Sequence, residues 1–229
     1  MNKQIASVIK VARMELGNTE LPKGSNNTKY GADYGLQGQP WCVIFLWWIF
    51  RAAGLARLFF GGNKTASCGS LLRWAKGAGR IVSLSELRAG DILLLAFTGT
   101  EAQHCALVVE VERKAKYGMP SFIHTIEGNT TPGEEGSQDN GGSVALKVRF
   151  TSQVVAVIRP AYEEVGEMDY SGHWAEDNID WAFDVGLVKG YADGDRIFKP
   201  DQTMTRAEVV TMLRRYDELR NGGKKDERS

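Results

Sequence analysis

Little in this 229-residue sequence marks a function by abundance: three histidines, three cysteines, six prolines, and 28 Lys+Arg against 28 Asp+Glu, for no formal net charge. The lack of a basic block removes the electrostatic footprint of nucleic-acid binding, so no nucleic-acid partner is expected. Cys42, Cys68 and Cys105 cannot all pair with one another and do not resemble the framework of a small disulfide-rich secreted fold. Reduced thiols and synthesis in a cytoplasm are the expectation. The most apolar run, VIFLWWIF at 43–50, is too short to span a bilayer and ends at Arg51, so no membrane partner is expected. Residues 1–17 set Ile5, Val8, Ile9, Ala12 and Leu16 at helical spacing with polar residues between, which is an amphipathic helix rather than a signal peptide.

What is present is ordinary globular material, 43% hydrophobic and 24% charged, in a chain longer than one average domain. Apolar spacing predicts helices over 3–16, 41–53 and 67–77. Strands follow at 91–97, 104–112, 121–128, 144–150 and 154–160, separated by Gly, Pro and charged turns. Helices first and strands after predict an α+β domain with an antiparallel sheet over 1–160. The acidic stretch AYEEVGEMD then reads as a linker, 161–168. A second unit, 169–216, carries helices at about 174–185 and 206–219, with Gly186 and Gly190 after the first and a YADGD turn between them. The polar tail 217–229 is expected to be disordered.

A free cysteine is usually a small core hydrophobe, yet Cys42 stands at the head of the greasiest segment, PWCVIFLWWIF. Pro40 suits a helix beginning, which puts Cys42 in a first turn where unpaired amides and the helix dipole stabilise a thiolate. A thiol nucleophile needs a base, and the candidates are His104, His124 and His173. His173 lies in the other unit. A hairpin centred near Tyr117 and Gly118 brings His104 level with about Asn129. Glu127 and Asn129 share one strand face while His124 faces away, which favours His104. Either Glu127 or Asn129 can accept from its second ring nitrogen. Read singly, His104 is a satisfied sheet histidine and GNTTPG is a turn.

In order, PWC at a helix start, GDILLL, HCALVVEV and IEGNT resemble the CHAP domain, the cysteine, histidine-dependent amidohydrolase/peptidase module of bacterial and phage cell-wall lysins, over residues 1–160. The upstream SNNTKYGADYGLQGQPWC resembles the segment leading into the cysteine in a subset of that family. The resemblance implies a papain-like fold that hydrolyses amide bonds in peptidoglycan without a cofactor. It implies Cys42 as nucleophile, His104 as base, Glu127 as orienting carboxylate and Asn129 as an auxiliary polar group. The Cys42 amide would stabilise the oxyanion, with Tyr30 or Gln39 as second donor. Some relatives bind calcium before the cysteine, but 24–41 holds only Asp33 as an acid, so no metal is expected to be required. Glu134, Glu135 and Asp139 lack ligand spacing. Cys68 and Cys105 lack comparable partners, Cys105 points to the other side of its strand from His104, and both are expected to be structural.

In the second unit HWA, GLVKGY, ADG, FKPD and TRAE occur in the order of an S-layer homology motif, which residues 169–216 resemble. The resemblance implies attachment to a cell-wall glycopolymer. Thr205 and Glu208 have capping-box spacing, leaving Arg206 to meet an acidic sugar substituent. Trp174 either packs in the core or stacks on a sugar, and Asp193 with Gly194 reads as a turn. The family usually has three such motifs in tandem and this chain has one, so association of copies into a homo-oligomer through this unit is a further expectation. The combined expectation is a peptidoglycan hydrolase of the phage or prophage endolysin kind, an amidase or endopeptidase made in the infected bacterium without a signal peptide and acting at the wall. The rivals are a non-catalytic wall-bound protein and a thiol peptidase acting on proteins.

Overall fold

Asn2 begins the first helix by accepting from the backbone N–H groups of Gln4 and Ile5, and Ile5, Val8, Ile9 and Ala12 then bury one face of α1 (Lys3–Met14). The helix stops short of Leu16, which is exposed rather than part of that face. The computed structural model describes residues 2–113, 120–133, 135–162, 169–189 and 197–221. The expected hairpin centre at Tyr117 and Gly118, Glu134, most of the linker, the Asp193–Gly194 turn, Gly190 and the end of the tail lie outside the described residues. The chain divides into two compact units, Met1–Glu163 and Glu164–Ser229.

In the first unit a six-residue helix absent from the sequence expectations, α2 (Lys29–Tyr34), is capped by Thr28. Next comes α3 (Cys42–Ala52), which begins after Pro40 with Trp41 at its N-cap and buries eight of its eleven residues. It is a helix sunk in the core on nearly all sides, which explains the run of apolar residues without periodicity. Ser67 caps α4 (Cys68–Gly77).

The strands are β1 (Ile81–Val82), β2 (Ile92–Leu95), β3 (His104–Arg113), β4 (Pro120–Thr130), β5 (Ser143–Arg149) and β6 (Val154–Ile158). They form one antiparallel sheet in the order β1-β6-β2-β3-β4-β5. The unit is thus α+β. Strand alternation sends Ile92, Leu94, Cys105, Leu107 and Ile126 into the core shared with the helices. Leu93, Leu95, Ala106, Val108 and Ile123 enter a smaller core with Leu87 and Val157. Burial on both faces is why DILLL reads as a continuous apolar run.

The second unit contains α5 (Glu176–Asp184) and α6 (Arg206–Arg220). Its small core is aromatic: buried Tyr170 stacks on Phe183 with ring centroids 5.9 Å apart and meets Phe198 edge-on at 6.1 Å. Asp169 holds the chain nearby by accepting from the amides of Phe198 and Lys199. Thr205 and Glu208 form the expected capping box, and α6 buries none of its residues. No helix among the described residues is long and apolar enough to cross a membrane.

Candidate active site

Cys42 is the first residue of α3, a helix whose N-cap supplies no side-chain hydrogen bond, so its opening amides are left facing the thiol region. The helix comes close to β4 because residue 128 is glycine: a Cβ there would lie 2.5 Å from Phe45 Cβ and 2.8 Å from the Trp41 ring. GNT is therefore more than a turn. Its glycine admits the start of α3 beside Glu127.

His104 opens β3 opposite Leu95 of β2. On the other side β3 pairs with β4, Leu107 lying opposite Ile126. His104 Nε2 lies 3.0 Å from Glu127 Oε2, and both side chains are sealed from solvent. Arg149 grips the same carboxylate with two nitrogens, Nε to Oε1 at 2.8 Å and Nη2 to Oε2 at 2.5 Å. Thr125 Oγ1 donates to Oε1 at 2.6 Å. The Phe97 ring lies against the imidazole, with centroids 5.9 Å apart, and also carries the Arg149 guanidinium above its face.

This makes a buried chain of alternating charge, Arg149, Glu127, His104 and Cys42, in which each ion has an opposite neighbour. Burial would raise the Glu127 carboxyl, but Arg149 and His104 override it and hold its pKa near 2. Burial would likewise favour neutral His104, yet the Cys42 sulfur and Glu127 push it up to about 9. Cys42 is held well below the usual thiol range, first by the Cys105 thiol and then by the Cys68 thiol, both of which outweigh burial together with His104. The pair thus favours thiolate and imidazolium. The opposite ring nitrogen of His104, Nδ1, is buried and lacks a hydrogen bond of regular geometry, although ring and sulfur shift one another's titration.

The expectation that Cys68 and Cys105 lack partners is corrected by the structure. The three sulfurs all lie within 4.8 Å of one another. The strand parity that turns Cys105 away from His104 turns it into the helix-side core, where α3 and α4 both start with a cysteine. Cys105 is raised by burial and then by its neighbours' sulfurs; Cys68 is drawn down by Cys105 but raised overall by Cys42 and burial.

Asn129 does not bond to His104. Its φ of 60° and the shifted β4–β5 register between Glu127 and Thr130 break the parity argument. Its amide donates instead to Asn140 Oδ1 and the Asp139 carbonyl, and its Oδ1 accepts from Gly142 N–H, closing a loop. Tyr30 is locked in the core, its hydroxyl donating to Glu15 at 2.7 Å, and Gln39 is exposed. Asp33 accepts from Trp48 Nε1. His124 meets Glu112 at 2.6 Å, away from the site, and His173 belongs to the second unit.

Arg149 and Thr125 are site residues that the sequence reading did not single out. Ile123 pairs with Arg149, Thr125 with Lys147 and Glu127 with Ala145, which sets Thr125, Glu127 and Arg149 on one face. The parity that selects Glu127 was the available signal. In the second unit Trp174 is 87% exposed, which decides against core packing, and Arg206 is exposed at the first position of α6.

Residues 169–210 match the model of the S-layer homology domain family, so the chain carries an S-layer homology domain. A 41-residue stretch is 54% identical to Cell surface glycoprotein 1 of Acetivibrio thermocellus, a match covering 18% of this chain and 2% of that protein's length. Among solved structures, that of a wild-type endolysin, LysIME-EF1, is similar over 72% of this chain and 67% of its own, with 17% identity and a TM-score of 0.39.

Proposed function

We propose that the first unit is a papain-like, CHAP-type cysteine hydrolase that cleaves an amide bond of bacterial peptidoglycan, and that the S-layer homology domain holds it at the wall. The observation that carries the reading is the buried Arg149–Glu127–His104 relay ending at a cysteine on a helix N-terminus. The Cys42 thiolate attacks the carbonyl carbon. The imidazolium of His104 protonates the leaving amine as the C–N bond breaks, and neutral His104 then takes a proton from the water that opens the thioester. Glu127 fixes the ring by accepting from Nε2–H, while Arg149 and Thr125 fix Glu127. The uncapped first-turn amides of α3 are the donors for the oxyanion; Tyr30, engaged with Glu15, is not.

Cys42 and His104 are closed to solvent, so a substrate carbonyl reaches them only after a local opening. The same burial favours the second reading, a wall-bound protein that does not turn over. Wall attachment is assigned to the second unit, with exposed Trp174 to stack on a sugar and Arg206 to meet an acidic substituent. Concentrating the enzyme on an insoluble substrate raises its effective concentration there.

Mass spectrometry of muropeptides released from purified walls by wild type and by Cys42→Ala separates the readings. Wild type is expected to open one class of amide bond, which also distinguishes amidase from endopeptidase, and Cys42→Ala is expected to bind walls and release nothing. Walls left intact by the reduced wild type would select the non-catalytic reading.

A further inference from the structure

Two of the three thiols have no place in the chemistry above. Cys68 and Cys105 are nevertheless gathered with Cys42 so that all three sulfurs lie within 4.8 Å of one another, and all three are free and buried. A tetrahedral zinc ion with bonds of about 2.3 Å separates its sulfurs by about 3.8 Å, so the cluster closes on such an ion by movements of about 1 Å or less. Cys42 and Cys68 are the first residues of α3 and α4, and two helix N-termini therefore converge on the sulfurs, which favours accumulated negative charge.

We propose that Cys42, Cys68 and Cys105 form a site for a soft cation such as Zn2+. Three cysteine sulfurs at this spacing are a donor set suited to zinc, with the fourth position left to solvent or a bound anion. Binding forms three Zn–S bonds and releases the S–H protons that the three cysteines carry, with no change of oxidation state. The bound ion occupies the Cys42 sulfur, so zinc holds the hydrolase off reversibly. That consequence rests on Cys42 being the nucleophile; the site itself does not.

The test is titration of the full chain, reduced and stripped of metal, with Co2+ and then Zn2+. One equivalent of Co2+ is expected to give visible d–d bands and a thiolate-to-cobalt band of three-sulfur intensity, which Zn2+ abolishes. Cys68→Ser is expected to remove one third of the charge-transfer band and to weaken binding at least as much as the roughly 10–100-fold seen on losing a mere outer partner. Should that variant not fold, the wild-type band intensity decides alone. No cobalt band, or one of single-sulfur intensity, would overturn the site. Wall digestion assayed on the same preparation keeps the two ideas apart. Cobalt binding without metal-free hydrolysis sinks the hydrolase and leaves the site, whereas hydrolysis indifferent to Zn2+ with no cobalt band does the reverse.

Discussion

The two units place their chemistry in opposite surroundings. In the first, Cys42, His104, Glu127 and Arg149 are all buried, and each ion is tolerated because a neighbour of opposite sign faces it. In the second, α6 buries nothing, and Trp174 and Arg206 face solvent around a core built on Tyr170, Phe183 and Phe198. A change to a buried charge disturbs every member of the chain and the fold with it. A change to an exposed residue of the second unit is expected to leave the fold nearly untouched and to act on the proposed wall binding.

The largest effect expected is from Cys42→Ala, which should lower amide hydrolysis at least about 10,000-fold while leaving wall sedimentation unchanged, because a nucleophile has no substitute in its own relay. Glu127→Gln should cost about 1,000- to 10,000-fold by analogy with a mis-set catalytic tautomer. It should also move the alkaline limit of kcat/KM down from about 9 toward 6.5, since Glu127 helps to raise His104. An unmoved limit would detach Glu127 from the base.

Arg149→Met leaves a buried carboxylate short of its cation and is expected to destabilise the first unit by about 3–5 kcal/mol, read by thermal unfolding. The pH dependence of stability follows from the same groups. Glu127 has its pKa lowered from 4.5 to about 2, so its contribution is full above about 4.5 and disappears as pH falls through 2. His104 is raised from 6.5 to about 9, so its contribution is full below 6.5 and is lost as pH rises through 9. Hydrogen exchange over β3 to β5 should therefore be slowest, relative to the intrinsic rate, between about 4.5 and 6.5, with no matching optimum in α6. At the smallest end, Trp174→Ala should change stability by no more than about 0.5 kcal/mol yet weaken wall sedimentation, the reverse of the Arg149 pattern.

The contrast also explains what could be read in advance. Helical spacing identified α1 and α4, an apolar run opening after Pro40 identified α3, and apolar segments between Gly, Pro and charged turns located β2 to β6, because those elements bury large apolar faces. The six residues of α2 and the two of β1 carry too little pattern to announce themselves. His104 and Glu127 were found by register and parity. Arg149 escaped because β5 is turned against expectation: Leu146 and Val148 are 48% and 44% exposed, while Lys147 and Arg149 face inward. The inward cation is required by a buried carboxylate on the neighbouring strand, at the edge of a register shift, which no local pattern displays. Asn129 failed at its positive φ, where alternation stops. The meeting of Cys68 with Cys42 joins the starts of two helices and has no signature along the chain.

The account depends on an anionic Cys42 in the metal-free protein, and the ultraviolet thiolate absorbance of wild type minus Cys42→Ala, titrated with acid, measures that charge without needing solvent access to the sulfur. A difference signal that persists well below the ordinary thiol pKa of about 8.5 is the predicted result. A signal that vanishes as pH falls through about 8.5 would mean an ordinary Cys42 thiol, neutral at neutral pH, and would contradict the proposed chemistry.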